Sequence, residues 1–343
     1  RRANPLVRLV TRDRGLYEIS LGDLLGRTRR RVRTDRIRLS RQGEPVPFHA
    51  EGGKLYFLSE GAGANPYGNE AVYELEIGAS GSRMPVRPAS PNGETTRFYW
   101  EEIEQEENLL YYSTLLDASE PWLWSMLFAP ARQSFPFEVS HPASIGEPAR
   151  LEVRLQGASD FAATPDHHVR LYVNGGLVAE TSWNGKRPQT IKADAWLQEG
   201  TNHLEIENLG DTEASYSMVL LDRFGVTYPR LPYAIDGKLD GRWTESGTSE
   251  LFGLSSKSVV IDTSGEKPTW LTGAQATGDG LHFRVESGGS YLVRSREAIL
   301  EPEIKWPSKS HLERTDHRAE YLMIGPTSFL SAAGELLAHR REQ

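Results

Sequence analysis

"ARLEVRLQG" (residues 149–157) decides the fold class. In an extended chain Leu151, Val153 and Leu155 fall on one face, Glu152 and Arg154 on the other. A period of two marks a strand that buries one side and wets the other. The surrounding segments repeat the pattern: "HVRLYVNGGLVAETSW" (168–183), "QTIKADAWL" (189–197), "NHLEIENLG" (202–210) and "YSMVLLDRFGVTY" (216–228). Asn174-Gly175-Gly176 is a strong hairpin turn, and Glu199–Asn202 is another. Strands spaced by roughly 8–12 residues predict a jelly-roll-like β-sandwich over 98–228.

Outward from that centre the chain stays mainly β. Residues 1–97 read as an N-terminal β domain, with strands at Leu6–Val10, Leu16–Ser20, Arg36–Ser40, Val46–His49 and Lys54–Leu58 and a short helix after Ser20. The Ser-, Pro- and Gly-rich stretch 79–97 reads as a loop or linker. Residues 229–317 read as a smaller β domain, carried by "KSVVIDTS" (257–264), "LHFRVESGG" (281–289) and "SYLVRS" (290–295). Over 318–343 the pattern changes. Tyr321–Ile324 reads as a short buried strand and Ser328–Gln343 as an amphipathic helix, the start of an α/β unit.

Composition narrows the function. The 343 residues carry a net charge of −8, which gives no reason to expect nucleic acid as a partner. No run of about 18 apolar residues occurs, so no membrane span is expected. Without cysteine, this stretch holds no disulfide, no Cys-ligated zinc and no cysteine nucleophile. The opening "RRANPLVRLV" lacks an apolar leader; a processed start, a trimmed chain and a disordered start all fit it.

Six stretches, in order, resemble the region before the catalytic domain in large secreted bacterial proteins of the gingipain family of cysteine peptidases. They are "DRGLYEISLGDLL" (13–25), "RIRLSRQGEPVPF" (36–48), "LYFLSEGAGANPYGNEAVYELE" (55–76), "EENLLYYSTLLDASEPWLWSMLF" (106–128), "LFGLSSKSVVIDTSGEKPTWLTG" (251–273) and "AEYLMIGPTSFLSAAGELLAHRREQ" (319–343). The resemblance implies that 1–97 is pro-region-like and that the protein is secreted or on the cell surface. It implies that "YLMIGP" and "LLAHRREQ" are the first strand and first helix of a caspase-like α/β peptidase domain. The family's catalytic His and Cys lie further along and have no matching position here, so no catalytic residue is carried over. The implied partner is a downstream peptidase domain, or a second chain that completes the α/β sheet. The tail is therefore expected to pack on that partner or to dock back on the β domains.

Candidate sites each have a plainer reading beside them. Arg27, Arg29, Arg30, Arg31, Arg33, Arg36 and Arg38 form a basic stretch. A solvated loop accounts for it; the resemblance makes Arg30 and Arg31 a processing or inhibitory loop. Trp183 and Trp196, with Tyr172 and Tyr216, offer flat rings for sugar stacking, although a sandwich needs aromatics for its own core and edges. His167-His168 is the only histidine cluster, but strand neighbours point to opposite faces and do not share a metal. No metal site is assigned. Calcium on the sandwich is an expectation by fold analogy alone, with Asp160, Asp211 and Asp222 as available ligands. "IDGKLDGRWTES" (235–246) has the Asp-Gly look of a calcium loop or of a carbohydrate-binding module's opening strand. Lys238 stands where an oxygen donor is needed, so a hairpin is the better account. Nothing marks a catalytic carboxylate pair among Glu101, Glu102, Glu104, Glu106 and Glu107.

Three functions follow. The first is a non-catalytic pro-region and accessory segment of a gingipain-like peptidase. The second is a carbohydrate-binding module for polysaccharide or cell-surface glycan. The third is a structural, surface-assembly β protein.

Overall fold

The computed structural model describes residues 7–25, 33–62, 68–112, 121–278, 280–306, 318–319 and 321–341. Its centre is the sandwich. Eight strands run β1 (Tyr99–Glu106), β2 (Ala131–Val139), β3 (Ala149–Gly157), β4 (His167–Val173), β5 (Gly176–Trp183), β6 (Pro188–Ala195), β7 (Gly200–Asn208) and β8 (Met218–Arg230). One layer has the order β6-β3-β8-β1, the other β2-β7-β4-β5. That interleaving of eight antiparallel strands is a jelly roll. The alternation read at 149–157 holds: Leu151, Val153 and Leu155 meet Phe135, Phe137, Leu171, Leu204, Ile206, Phe224 and Val226 in one core. Each such side chain contributes about 1.5–3 kcal/mol by leaving water.

The first layer continues beyond the sandwich. β1 also pairs with Lys238–Arg242, Trp100 opposite Arg242. The same sheet runs on through Ser290–Arg294, Val259–Asp262 and Thr269–Thr272. Where the sequence reading drew a line at 228/229, a continuous sheet crosses. Tyr99 stacks on Trp243 at 5.0 Å, and Phe283 and Tyr291 close edge-on around that indole. Gly241 lies beneath the Tyr99 ring, where a Cβ would come within 2.0 Å of it.

The stretch 79–97 is not simply a linker. Val86–Pro88 adds in parallel to Thr269–Thr272, and Thr95–Thr96 adds in parallel to Gly247–Phe252. These edges are too short and too rich in proline to carry a strand pattern of their own; their partners supply the pairing.

The N-terminal unit stacks a five-stranded sheet on a three-stranded one. Glu303–Lys305, Val7–Thr11, Ala71–Ile77, Ile37–Arg41 and Glu44–Pro45 form the first, and Arg14–Ser20, Lys54–Glu60 and Phe48–Glu51 the second. Leu9, Tyr17, Leu39, Phe48, Phe57, Tyr73 and Leu75 fill the space between them. The short helix expected after Ser20 is Leu21–Leu25.

The tail departs from expectation in one respect. Helices form at Thr327–Ala332 and Gly334–Arg341, but Tyr321–Ile324 is not a strand. Leu322 is 74% exposed and Ile324 87%. An extended segment becomes a strand only beside another, and none of the described strands pairs with it.

Candidate functional site

A buried polar cluster lies where the sandwich loops meet. His167 and Asp166 are fully buried, and Ser217 nearly so. His167 Nδ1 lies 2.9 Å from the Ser217 hydroxyl, which donates to Asn208 Oδ1 at 3.1 Å. Asp166 accepts from the backbone N–H groups of Gly185 and Phe161. Ser, His and Asp are thus neighbours, yet this is no nucleophilic site. The hydroxyl is sealed from solvent and its proton is engaged by Asn208; a serine nucleophile needs an open face and a base that takes that proton. The cluster ties the loops 158–166, 184–187 and 209–217 together. Burial holds the His167 pKa down, against the pull of Asp166.

His168 points the other way, as strand alternation requires. Its ring bonds Asp211 at 2.8 Å and Glu180 at 2.7 Å. Burial alone lowers its pKa, but the two carboxylates outweigh that and raise it. Of the three aspartates considered for calcium, Asp211 is engaged by His168. Asp222 is the extra residue of a bulge in β8, with one oxygen buried and unpartnered. Asp160 lies beside Gly185. Among the described residues no group of three or more His, Cys, Asp or Glu side chains is placed to hold a metal ion.

The ring residues do not converge. Trp183 packs against the sandwich core and tilts over His167 at 4.8 Å, its indole N–H buried. Trp196 is 68% exposed, just past β6. Tyr172 lies under Arg132 at 4.0 Å and donates to Glu207. Tyr216 stacks on Phe128 at 5.5 Å. Arg30 and Arg31 lie outside the described residues. "IDGKLDGRWTES" is a hairpin: Asp236 and Gly237 turn with positive φ, Ile235 bridges Lys238, and Asp240 forms a two-pronged pair with Arg294 at 2.5 and 2.6 Å.

Sequence reading passed over the contact between the N-terminal unit and the smaller β unit. Leu16, Tyr56, Met84, Ile261, Trp270 and Ile299 make a shared apolar cluster there. The His49 ring stacks on Trp270 at 4.1 Å and 12°. Beside it Glu18 accepts from Lys54 at 2.5 Å and from Arg296 at 3.0 Å. Burial and the nearby Glu18 push the Tyr56 pKa up to about 12. No sequence signal marks these residues, because the contacts that join the two units, His49 with Trp270 and Glu18 with Arg296, link segments more than 200 positions apart.

The surface most plainly lacking a cover is the tail. Leu322, Ile324 and Phe329 are each more than 70% exposed, and no described residue of 318–341 is buried. Docking back on the β units is therefore not seen among the described residues; the ring contact of Arg340 over Tyr321 at 5.3 Å lies within the tail.

These features define a class: a mainly β protein with a central jelly roll, β units before and after it, and a helical tail with exposed apolar side chains. Among solved structures the chain is similar to dimeric latent PorU from Porphyromonas gingivalis, with a TM-score of 0.66 at 14% identity, over 88% of this chain and 32% of that one. It thus spans about a third of PorU's length, and the likeness shows a shared fold. The chain is also similar to the CBM36-1 domain of a multidomain xylanase from the hindgut metagenome of Trinervitermes trinervoides. There the TM-score is 0.24 at 13% identity, over 37% of this chain and 96% of the other, too low to carry an argument. No protein-family model matches the chain. No curated protein matches it in sequence.

Proposed function

We propose that this chain is the non-catalytic, pre-catalytic part of a secreted or cell-surface peptidase of gingipain type. Its β units are a scaffold, and its tail is the first piece of the α/β domain that the scaffold supports or shields. The observation that carries this reading is the fold shared with latent PorU, a gingipain-related cysteine peptidase, over 88% of the chain. The bare apolar tail agrees with it. Leu322, Ile324 and Phe329 are costly to expose and need a sheet to cover them.

The test is a binding and inhibition experiment. The α/β peptidase domain of the same protein is produced separately and mixed with this chain. The expected outcome is a stable complex, reduced peptidase activity and new protection of the amides in 321–341. If the two neither bind nor affect each other's behaviour, the reading is lost.

A further inference from the structure

The solvent face of the jelly roll's first layer carries a groove that none of the functions above uses. Its floor is β8, with β1 along one side and β3 along the other. The register aligns Glu102, Thr227 and Arg150 in one row, and Glu104, Gly225 and Glu152 in the next. A third row holds Glu106, Arg223 and Arg154. A cleft of about 630 Å³ lies over these rows.

Two features make this more than a sheet surface. The first is Gly225. It sits inside the longest strand, where glycine weakens pairing, yet neither packing nor backbone demands it. A Cβ there would meet nothing closer than the Ile103 carbonyl at 3.7 Å, and its φ is not positive. What glycine provides is depth, a place where another chain can come close to the sheet.

The second is the polarity of the walls. On the β1 side Glu102 and Glu104 are exposed, and neither takes a hydrogen bond or ion pair from a side chain among the described residues. On the β3 side stand Arg150, held over the Trp100 ring at 5.0 Å, and Arg154. Glu152 between them is neutralised by Arg154 at 3.0 Å and by Lys192 at 3.3 Å. Two strand spacings separate the walls, about 10 Å. Residues i and i+2 along each wall are about 7 Å apart, which is also the side-chain repeat of any extended peptide.

We propose that this groove binds an extended peptide of alternating charge, its basic side chains toward Glu102 and Glu104 and its acidic side chains toward the Arg150 side of the groove. The Gly225 depression admits its backbone. This does not rest on the pre-catalytic reading: a failure to bind the peptidase domain leaves it standing.

The probe is a fluorescein-labelled peptide of alternating Lys and Glu, titrated with the full chain and followed by anisotropy. Its control is an isomer with the same residues in two blocks. Saturable binding is expected for the alternating peptide. It should weaken at least about tenfold in Gly225→Leu, in the exposed pair Glu102→Gln/Glu104→Gln, and for the block isomer, a loss of about 1.4 kcal/mol. High salt should weaken it as well. Circular dichroism melts confirm that each variant is folded, and if Gly225→Leu is not, the glutamate pair decides. The proposal is overturned if the alternating peptide does not bind, if the block isomer binds equally, or if the glutamate pair binds undiminished. It is also overturned if an acidic polysaccharide occupies the groove and the peptide does not.

Discussion

Two strand glycines show how differently one residue type is used. Gly241 carries the Tyr99 ring, and any Cβ there would have to displace a buried aromatic stacked on Trp243. Gly241→Ala should therefore cost about 1–3 kcal/mol by overpacking. Gly225→Ala should do the reverse, since its Cβ finds open space; replacing a strand glycine gains about 0.5–1 kcal/mol. Urea unfolding of the two variants gives both signs, and equal shifts would refute the distinction. A third residue, Arg230, is 2% exposed, donates to Glu101 and to the Tyr233 carbonyl, and lies near the Tyr99 ring. Glu101 also accepts from the Tyr228 hydroxyl at 2.5 Å, and burial holds that phenol's pKa well above its usual value. Arg230→Leu strips this network of its only buried cation among the described residues and should destabilise the protein by about 3–5 kcal/mol, read from the same urea curves. None of this was legible in "DGRW" or "TYPRL". The segments look polar, and only the pairing of β1 with β8 and with Lys238–Arg242 brings them to one point.

At the level of elements, legibility followed local pattern. β3 announces itself because its inward row, Leu151, Val153 and Leu155, is apolar throughout; β4 and β7 follow through Val169, Leu171 and Val173 and through Leu204 and Ile206, although His167, Asn202 and Asn208 also face inward. Val86–Pro88 and Thr95–Thr96 do not, because two or three residues hold no period and their ladders are parallel and remote. Tyr321–Ile324 shows the opposite failure. Its apolar run promises a strand, but a strand is a property of a pair, and no described strand pairs with it. The two short helices after it are equally unsupported, since isolated helices under about 12 residues are marginal in water. In hydrogen exchange, amides of 327–341 should therefore exchange at nearly unprotected rates while those of β8 remain protected. Removing 318–343 should leave the unfolding midpoint of the β units within error of the full chain. A protected tail, or a truncation that destabilises the sandwich, would show a docking contact at odds with the exposure of Leu322, Ile324 and Phe329.

At the scale of the whole molecule, the jelly roll and the smaller β unit share one sheet, while the N-terminal unit is joined through Trp270, His49 and the Glu18 cluster. That joint makes stability depend on pH. His49 is held below its ordinary pKa by burial, which outweighs the opposing pull of Glu51 at 3.7 Å, with Arg83 adding a smaller push the same way as burial. Its Nε2 has no hydrogen-bond partner, so the neutral ring is what fits against the indole. His167 is lowered as well, again by burial. A lowered histidine binds its proton more readily in the unfolded chain, so its contribution is intact above the unfolded value of about 6.5 and drains away as pH falls toward the folded pKa. His168, raised by Asp211 and Glu180, acts in the opposite sense, but its ring and both partners are partly wet, and its weight is small. The paired carboxylates whose pKa is lowered, such as Glu152 and Glu180, begin to matter only in more acidic solution. The urea midpoint should therefore fall between about pH 7.5 and about pH 5. His49→Phe keeps a ring on Trp270 and removes one of the two groups responsible. It should unfold at the same or higher urea near neutrality and lose less on acidification than the parent chain, while His167, untouched, preserves the remainder. A variant that loses as much as the parent would place the acid sensitivity in the sandwich and deny the joint any part in it.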